Sequence, residues 1–343
     1  MTDFTRDALG WSPFFMSQLD IDELETLTPA RIATVHRDRV VGFSEIGTLE
    51  LTLDPGITTA AVAVGDWVLA APQQYRLIKV LDRKTELSRG TEFHTGEKQL
   101  IAANIDTLFI TTSCNNDFNP ARLERYLALA HDAMITPVIL LTKADQCDNP
   151  DNYVDQARAL GRGIEVIAFD AKSDDVIATL APWCGKGQTV ALTGSSGVGK
   201  TTIANALTGG NALTRDIRED DARGRHTTTG RSLHAMPSGG WLIDTPGMRG
   251  LGLAEVSFGI DATFPEISEL AENCKFRDCA HDSEPGCKVQ AAIAAGEIDP
   301  DRLKRFKKLK RENIQATETI AQARDRSKKL GKHIKSVMKK KGR

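Results

Sequence analysis

The clearest chemistry in the chain lies in Gly194-Ser195-Ser196-Gly197-Val198-Gly199-Lys200-Thr201. This run matches G-x-x-x-x-G-K-[ST], in which glycines let backbone N–H groups face a polyphosphate at the positive end of a helix. The β-type run Thr189–Thr193 precedes it, and the helical run that begins at Thr202 and ends at Leu207 follows it. Gly209 stands where a C-cap belongs. Lys200 is expected at the β- and γ-phosphates, and Thr201 on Mg²⁺. Downstream, Asp244-Thr245-Pro246-Gly247 follows the strand-like Trp241–Ile243. Asp244 reads as a Mg²⁺ holder acting through water, and the Gly247 N–H can meet the γ-phosphate.

Base identity comes from Thr142-Lys143-Ala144-Asp145, which ends the apolar run Val138–Leu141. Guanine presents N1–H and N2–H₂ on one edge, and the Asp145 carboxylate can accept both, with the Lys143 stem over the ring. Adenine offers no such pair, so Asp145 argues against a P-loop kinase or ATPase. Thr142 stands where the usual N-K-x-D motif has Asn. It keeps a hydroxyl and loses the amide. Asp170-Ala171-Lys172, after the strand-like Glu165–Phe169, resembles the S-A-K loop whose backbone N–H meets guanine O6, with Asp170 in place of Ser.

Between the two phosphate motifs lies Gly224-Arg225-His226-Thr227-Thr228-Thr229. A switch loop needs a threonine to complete Mg²⁺ coordination, and Thr228 is the expected one, with Thr229 next. Many GTPases orient the attacking water with a Gln just after D-x-x-G. Here Met248 holds that position, and His226 is the nearest polar substitute.

Cys274-x4-Cys279-x-His281-x5-Cys287 offers three thiolates and an imidazole. Four N/S ligands suit a closed tetrahedral structural zinc with no position left for catalysis.

The elements that must position these groups follow from pattern. Residues 1–30 read as a flexible lead-in. Arg31–His36, Val40–Phe43, Thr48–Leu53, Trp67–Ala70 and Arg76–Leu81 are short runs of β-formers, as in an OB-like barrel over 31–98. From Thr107 onward strands and helices alternate, which implies a mostly parallel sheet carrying the site at its carboxyl edge. Its expected range is 99–260. A zinc-binding helical domain with a basic tail is expected over 261–343, its last long helix beginning at Asp299-Pro300 and striped by Leu303, Phe306 and Leu309. The guanine motifs come before the phosphate motifs, the reverse of the Ras-like order, so the fold class reads as a circularly permuted α/β P-loop GTPase.

Charge adds a partner class. The net charge is −2, yet from Arg302 to Arg343 there are 17 Lys/Arg against 3 Asp/Glu, a net of +14 that leaves −16 elsewhere. A basic tail on an acidic body points to a polyanionic partner. No apolar run approaches the ~20 residues of a membrane span. Met1 to Trp11 holds Asp3, Arg6 and Asp7 and no apolar stretch, so no signal peptide is read there. The expectation is a cytoplasmic monomer.

Together the permuted motifs, the run at 224–229 and the Cys/His cluster resemble the RsgA (YjeQ) family of ribosome small-subunit-dependent GTPases. The resemblance runs from the Arg31 strand to the basic tail. It implies an OB-fold, a permuted GTPase domain and a zinc domain. It also implies GTP and GDP as ligands, rRNA on the small subunit as partner, a role late in maturation of that subunit, and hydrolysis stimulated by it. The alternative is an RNA-binding scaffold that uses GTP and GDP only as a conformational switch. Thr142, Asp170 and the long tail depart from the family pattern.

Overall fold

A computed structural model describes residues 4–90, 98–210, 231–244 and 256–317. The expected positions His226, Thr228 and Gly247, with Met248 and the tail beyond Thr317, lie outside these residues.

Five strands form the barrel: β1 (Thr28–Val35), β2 (Val40–Ser44), β3 (Gly47–Leu53), β4 (Trp67–Ala71) and β5 (Arg76–Val80). The strands β1, β2 and β3 pair antiparallel in turn, β3 pairs parallel with β5, β5 returns to β4, and β4 closes on β1. Ile32, Val40, Leu51, Val68 and Leu77 fill the interior. Every residue of β4 is buried, because Val68 and Ala70 face the barrel while Trp67 and Leu69 face a second core outside it. That double burial explains an uninterrupted apolar run where an exposed barrel strand would alternate.

Residues 4–27 differ from the loose lead-in expected of them. They include α1 (Pro13–Met16) and α2 (Ile21–Thr26), the latter closed by an Asp20/Glu23 capping box. Leu9 and Phe15 are buried, and Trp11 meets Trp67 edge-on at 4.7 Å. The Trp241 indole donates to Ala8 O at 2.7 Å. The fully buried Arg31 donates to Leu9 O (2.7 Å), Asn104 O (3.2 Å) and Thr189 Oγ1 (2.6 Å). Burial draws its guanidinium down to about 10, with Asp106 opposing the shift. Periodicity cannot reveal this packing, because its partners are remote in sequence and the segment has no repeating apolar face of its own.

Beyond the barrel, β6 (Glu86–Gly90) and β7 (Lys98–Ala103) form an antiparallel ribbon. The boundary expected between 98 and 99 falls within this ribbon. The α/β body contains β8 (Thr107–Ser113), β9 (Thr136–Thr142), β10 (Glu165–Ala168), β11 (Thr189–Gly194), β12 (Ser232–Ala235) and β13 (Trp241–Asp244). Its spatial order is β10-β9-β8-β11-β13-β12, all parallel except the edge strand β12. From β8 the chain winds outward to β10, then returns to lay β11 against the other side of β8. The gap between β8 and β11 is therefore the topological switch point, where α/β sheets hold their ligands. At the other end β12 touches the barrel through the pairing Thr34↔Ser232.

Helices α3 (Pro120–Asp132), α4 (Pro150–Arg158), α5 (Val176–Leu180) and α6 (Lys200–Thr208) flank the sheet. Then follow α7 (Ser257–Thr263), α8 (Pro265–Ala271), α9 (Lys288–Ala294) and α10 (Pro300–Thr317). The boundary expected at 260/261 falls inside α7. That helix lies against α3 so closely that a Cβ on Gly259 would sit 1.9 Å from Ala128 O. Across the same seam the buried Glu124 of α3 accepts from Arg302 (2.8 Å) and Arg305 (2.8 Å) of α10. Arg302 also bonds Glu266 and Thr263 O and lies 4.3 Å over the Phe264 ring.

Removing Glu124 would leave the buried Arg302 with Glu266 as its remaining carboxylate partner and would take away a carboxylate that Arg305 shares. Glu124→Ala should lower global stability by about 3 kcal/mol, the range for breaking a buried ion pair. Urea unfolding measures it, and a loss under about 1 kcal/mol would mean the seam does not depend on this cluster.

Candidate nucleotide site and metal cluster

At the switch point β11 ends in the phosphate loop. A Cβ on Gly194 would lie 2.0 Å from Thr111 O on β8, and the residue has φ +136°, so only glycine fits there. The loop then turns into α6 with Gly199 as N-cap, and Ile203 N bonds back to Gly199 O at 3.0 Å. Gly209, at φ +66°, caps the far end as expected from sequence. Lys200 Nζ reaches over the loop to Gly194 O at 3.0 Å and to Ser195 O. Val198 is buried under the loop, Ser196, Gly197 and Thr201 are exposed, and Thr202 is half-buried.

The loops after β9 and β10 come up against this loop. A Cβ on Gly199 would be 3.5 Å from Ala171 Cβ and 3.7 Å from Thr142 Cγ2. Thr142 is fully buried, and its hydroxyl faces Val198 O at 2.6 Å and Thr112 O at 3.1 Å. Threonine thus ties the guanine loop to the phosphate loop and to β8 without the amide that Asn would bring. Lys143 is left-handed (φ 58°) and swings the chain into a short turn, Ala144–Gln146, that exposes the Asp145 carboxylate. Ala144 N reaches Phe169 O at 3.5 Å, which joins this turn to the Asp170 loop. There Asp170 Oδ1 accepts from Lys172 N at 2.9 Å. An Asx-type turn replaces what Ser would have made, with Ala171 buried and Lys172 exposed.

Asp244 closes β13 opposite Ser232 of β12 and is half-buried. Of the expected site residues in the described chain, the structure brings the 142–145, 170–172 and 194–202 groups to one sheet edge. Asp244 ends the strand beside β11 at that edge.

In the C-terminal region Cys274, Cys279, His281 and Cys287 place their ligand atoms within 4.8 Å of one another. Cys274 Sγ lies 3.9 Å from Cys287 Sγ and 3.6 Å from His281 Nδ1, which is 3.5 Å from Cys287 Sγ. A tetrahedral zinc with bonds of about 2.3 Å to sulfur and about 2.0 Å to nitrogen sets S···S near ~3.8 Å and S···N near ~3.6 Å. The separations among Cys274, His281 and Cys287 match that ion, and Cys279 offers a fourth thiol within 4.8 Å of the other three donors. Burial, then Lys307, pushes the His281 imidazole down from its ordinary pKa, toward the neutral form a ligand needs.

Sequence reasoning did not identify what holds this loop. Glu284 accepts from Ala280 N (2.8 Å), Asp282 N (2.9 Å) and Ser283 N (3.1 Å). Backbone hydrogen bonds, beginning with its own amide, draw its carboxyl down to about 2. Gln290 and Lys307 both donate to His281 O, at 2.7 and 2.9 Å. The available signal was an acid set beside Pro285-Gly286 between two ligands.

The family model described as RsgA GTPase matches residues 80–254. The Small ribosomal subunit biogenesis GTPase RsgA of Mesorhizobium japonicum is 56% identical over 309 residues, 89% of this chain and 89% of that protein. RsgA 2 of Vibrio vulnificus is 45% identical, over 97% of this chain and 95% of its own. Among solved structures, YjeQ from Thermotoga maritima aligns with TM-score 0.62 at 23% identity, covering 84% of this chain and 99% of that one. YloQ, described as a circularly permuted GTPase, aligns with TM-score 0.58 at 25% identity, covering 82% and 92%.

Two outcomes test the site. Asp145→Asn should cost about 1–3 kcal/mol in GDP affinity, as for a lost bidentate base contact, and shift preference toward xanthosine diphosphate; an unchanged preference would remove Asp145 from base recognition. Elemental analysis should find about one zinc per chain, as four ligands fill one tetrahedral site. Cys279→Ser should lose that metal and destabilise the C-terminal region while GDP affinity holds. Freshly purified protein without zinc would count against the assignment.

Proposed function

The chain belongs to the RsgA GTPase family, and from that premise we propose that it hydrolyses GTP to GDP and phosphate in late maturation of the small ribosomal subunit. It would act there as a cytoplasmic monomer bound to rRNA and be stimulated by the subunit. Among the described residues no helix is long and apolar enough to cross a membrane. The observation that supports the reading is the approach of the loops after β9 and β10 to the loop after β11: the Thr142 hydroxyl lies 2.6 Å from Val198 O, and a Cβ on Gly199 would come within 3.5 Å of Ala171 Cβ.

In this reading Asp145 accepts the two guanine donors, the Lys143 stem covers the ring and the Ala171 N–H meets O6, with Lys172 beside it. The backbone N–H groups of residues 195–202 cradle the phosphates, and Lys200 draws charge from the β- and γ-oxygens. Thr201, Asp244 and Thr228 would hold Mg²⁺, which supplies neutralisation of charge developing on the phosphates. Gly247 offers its N–H to the γ-phosphate. The zinc held by Cys274, Cys279, His281 and Cys287 is structural, and shapes the C-terminal region that Glu124 joins to α3.

His226 is the proposed water-orienting group, because Met248 cannot accept a hydrogen bond from the attacking water as a Gln would. Ordering of the switch against the subunit would bring its imidazole to the γ-phosphate. Intrinsic turnover should be slow and should rise when purified small subunits are added. His226→Ala should retain nucleotide and subunit binding and lose stimulated turnover by about 100-fold, the low end for a positioned acid–base group. Turnover that does not respond to subunits would favour a scaffold that uses GTP and GDP as a switch. A variant with full stimulation would move the catalytic role away from His226.

A further inference from the structure

The turn between the first two cluster residues carries a large aromatic side chain that stands partly in solvent. Phe276 is 41% exposed, although its neighbours Cys274 and Cys279 point into the cluster. Its backbone is fixed: Lys275 N bonds Gly286 O at 3.3 Å, and Cys279 N bonds Phe276 O at 3.3 Å. The ring thus stands on a short turn anchored at both ends by cluster residues.

Its surroundings are cationic. Lys275 Nζ lies 5.5 Å from the ring centroid. Arg277 is exposed on the same turn, next to Phe276 in sequence. Asp278 is the acid in the turn, so cations outnumber it. An apolar docking partner would not call for this ring of charge. A nucleotide would, because it presents a flat π-face between two phosphates.

We propose that Phe276 stacks on an unpaired base of single-stranded RNA, with Lys275 and Arg277 on the adjoining phosphates. Bases inside a duplex already stack on each other and cannot offer a face to the ring, so the site selects loops, bulges or ends. The inference rests on the rRNA-binding reading above and narrows it to one side chain and one kind of ligand.

The test uses the full chain and a fluorescein-labelled oligoadenylate of about eight nucleotides, within the span of a small single-strand site. Phe276→Ala should weaken binding by roughly tenfold, and Phe276→Trp should restore it, since stacking needs only an aromatic face. Zinc content should match the parent in both. The slope of log affinity against log salt should be unchanged in Phe276→Ala and shallower in Lys275→Ala. Parental affinity in Phe276→Ala, failure of Phe276→Trp to restore it, or an equal loss on duplex RNA would each overturn the proposal. Co-sedimentation with purified small subunits separates the two readings. Failure of the parent protein to sediment would sink the subunit reading and leave the oligonucleotide result standing. Loss of sedimentation in Phe276→Ala with unchanged oligonucleotide affinity would assign the ring to a protein contact and overturn stacking.

Discussion

Between β8 and β11 there is no room for a side chain at Gly194, and the arrangement of the site depends on that approach. A Cβ there would fall 2.0 Å from Thr111 O. The five registered pairs from Val190↔Thr107 to Gly194↔Thr111 bring together two parts of the chain that connect only through β9, β10 and their helices. The connecting chain carries the loops at 142–145 and 170–172, and β11 leads into the loop at 194–201. Thr142, at the end of β9, spans β8 and the loop after β11, its hydroxyl facing Thr112 O and Val198 O. A permuted order of motifs is tolerated because the site is assembled from strand ends in space, and these ends are fixed by the sheet rather than by chain order.

The same sheet is tied to its neighbours by buried polar contacts as well as by apolar area. Arg31 leaves the barrel strand β1 to bond the lead-in at Leu9 O, the loop after β7 at Asn104 O and the start of β11 at Thr189. A buried guanidinium is costly unless its donors are satisfied, so a shift of barrel against sheet would strand this group. Glu124 of α3 serves a matching role toward α10, the last described helix. Helix α3 follows β8, whose end also supports Thr142. The C-terminal region is thereby joined, through one helix and one strand, to the base-reading edge.

Much of this was legible in the residues. The five barrel strands, the strands of the α/β body other than β12, the phosphate loop with its Gly209 cap and the Cys/His spacing could all be read from type and order, because each is set by local chemistry. A left-handed turn favours glycine, a ladder favours β-branched residues and a tetrahedral ion needs four close donors. Short and solitary elements were missed. The strand β12 and the β6–β7 ribbon hold hardly any β-branched or aromatic residues, and the helices of the lead-in are too short to show a repeating apolar face.

What the sequence determined by itself was the family of chemistry, a GTPase with a phosphate-loop signature at Gly194–Thr201, and a four-donor cluster of Cys274, Cys279, His281 and Cys287 that could hold a metal. What only the tertiary structure decided was how these parts are held. That Thr142 can stand in for Asn rests on the 2.6 Å approach of Val198 O. That residues 4–27 are packed rests on Trp67, Trp241 and Arg31, all distant in sequence. The physical reason is the same in each case. A local pattern encodes the dihedral and donor preferences of its own residues, whereas a buried hydrogen bond or ring contact depends on which remote surface the fold brings against it.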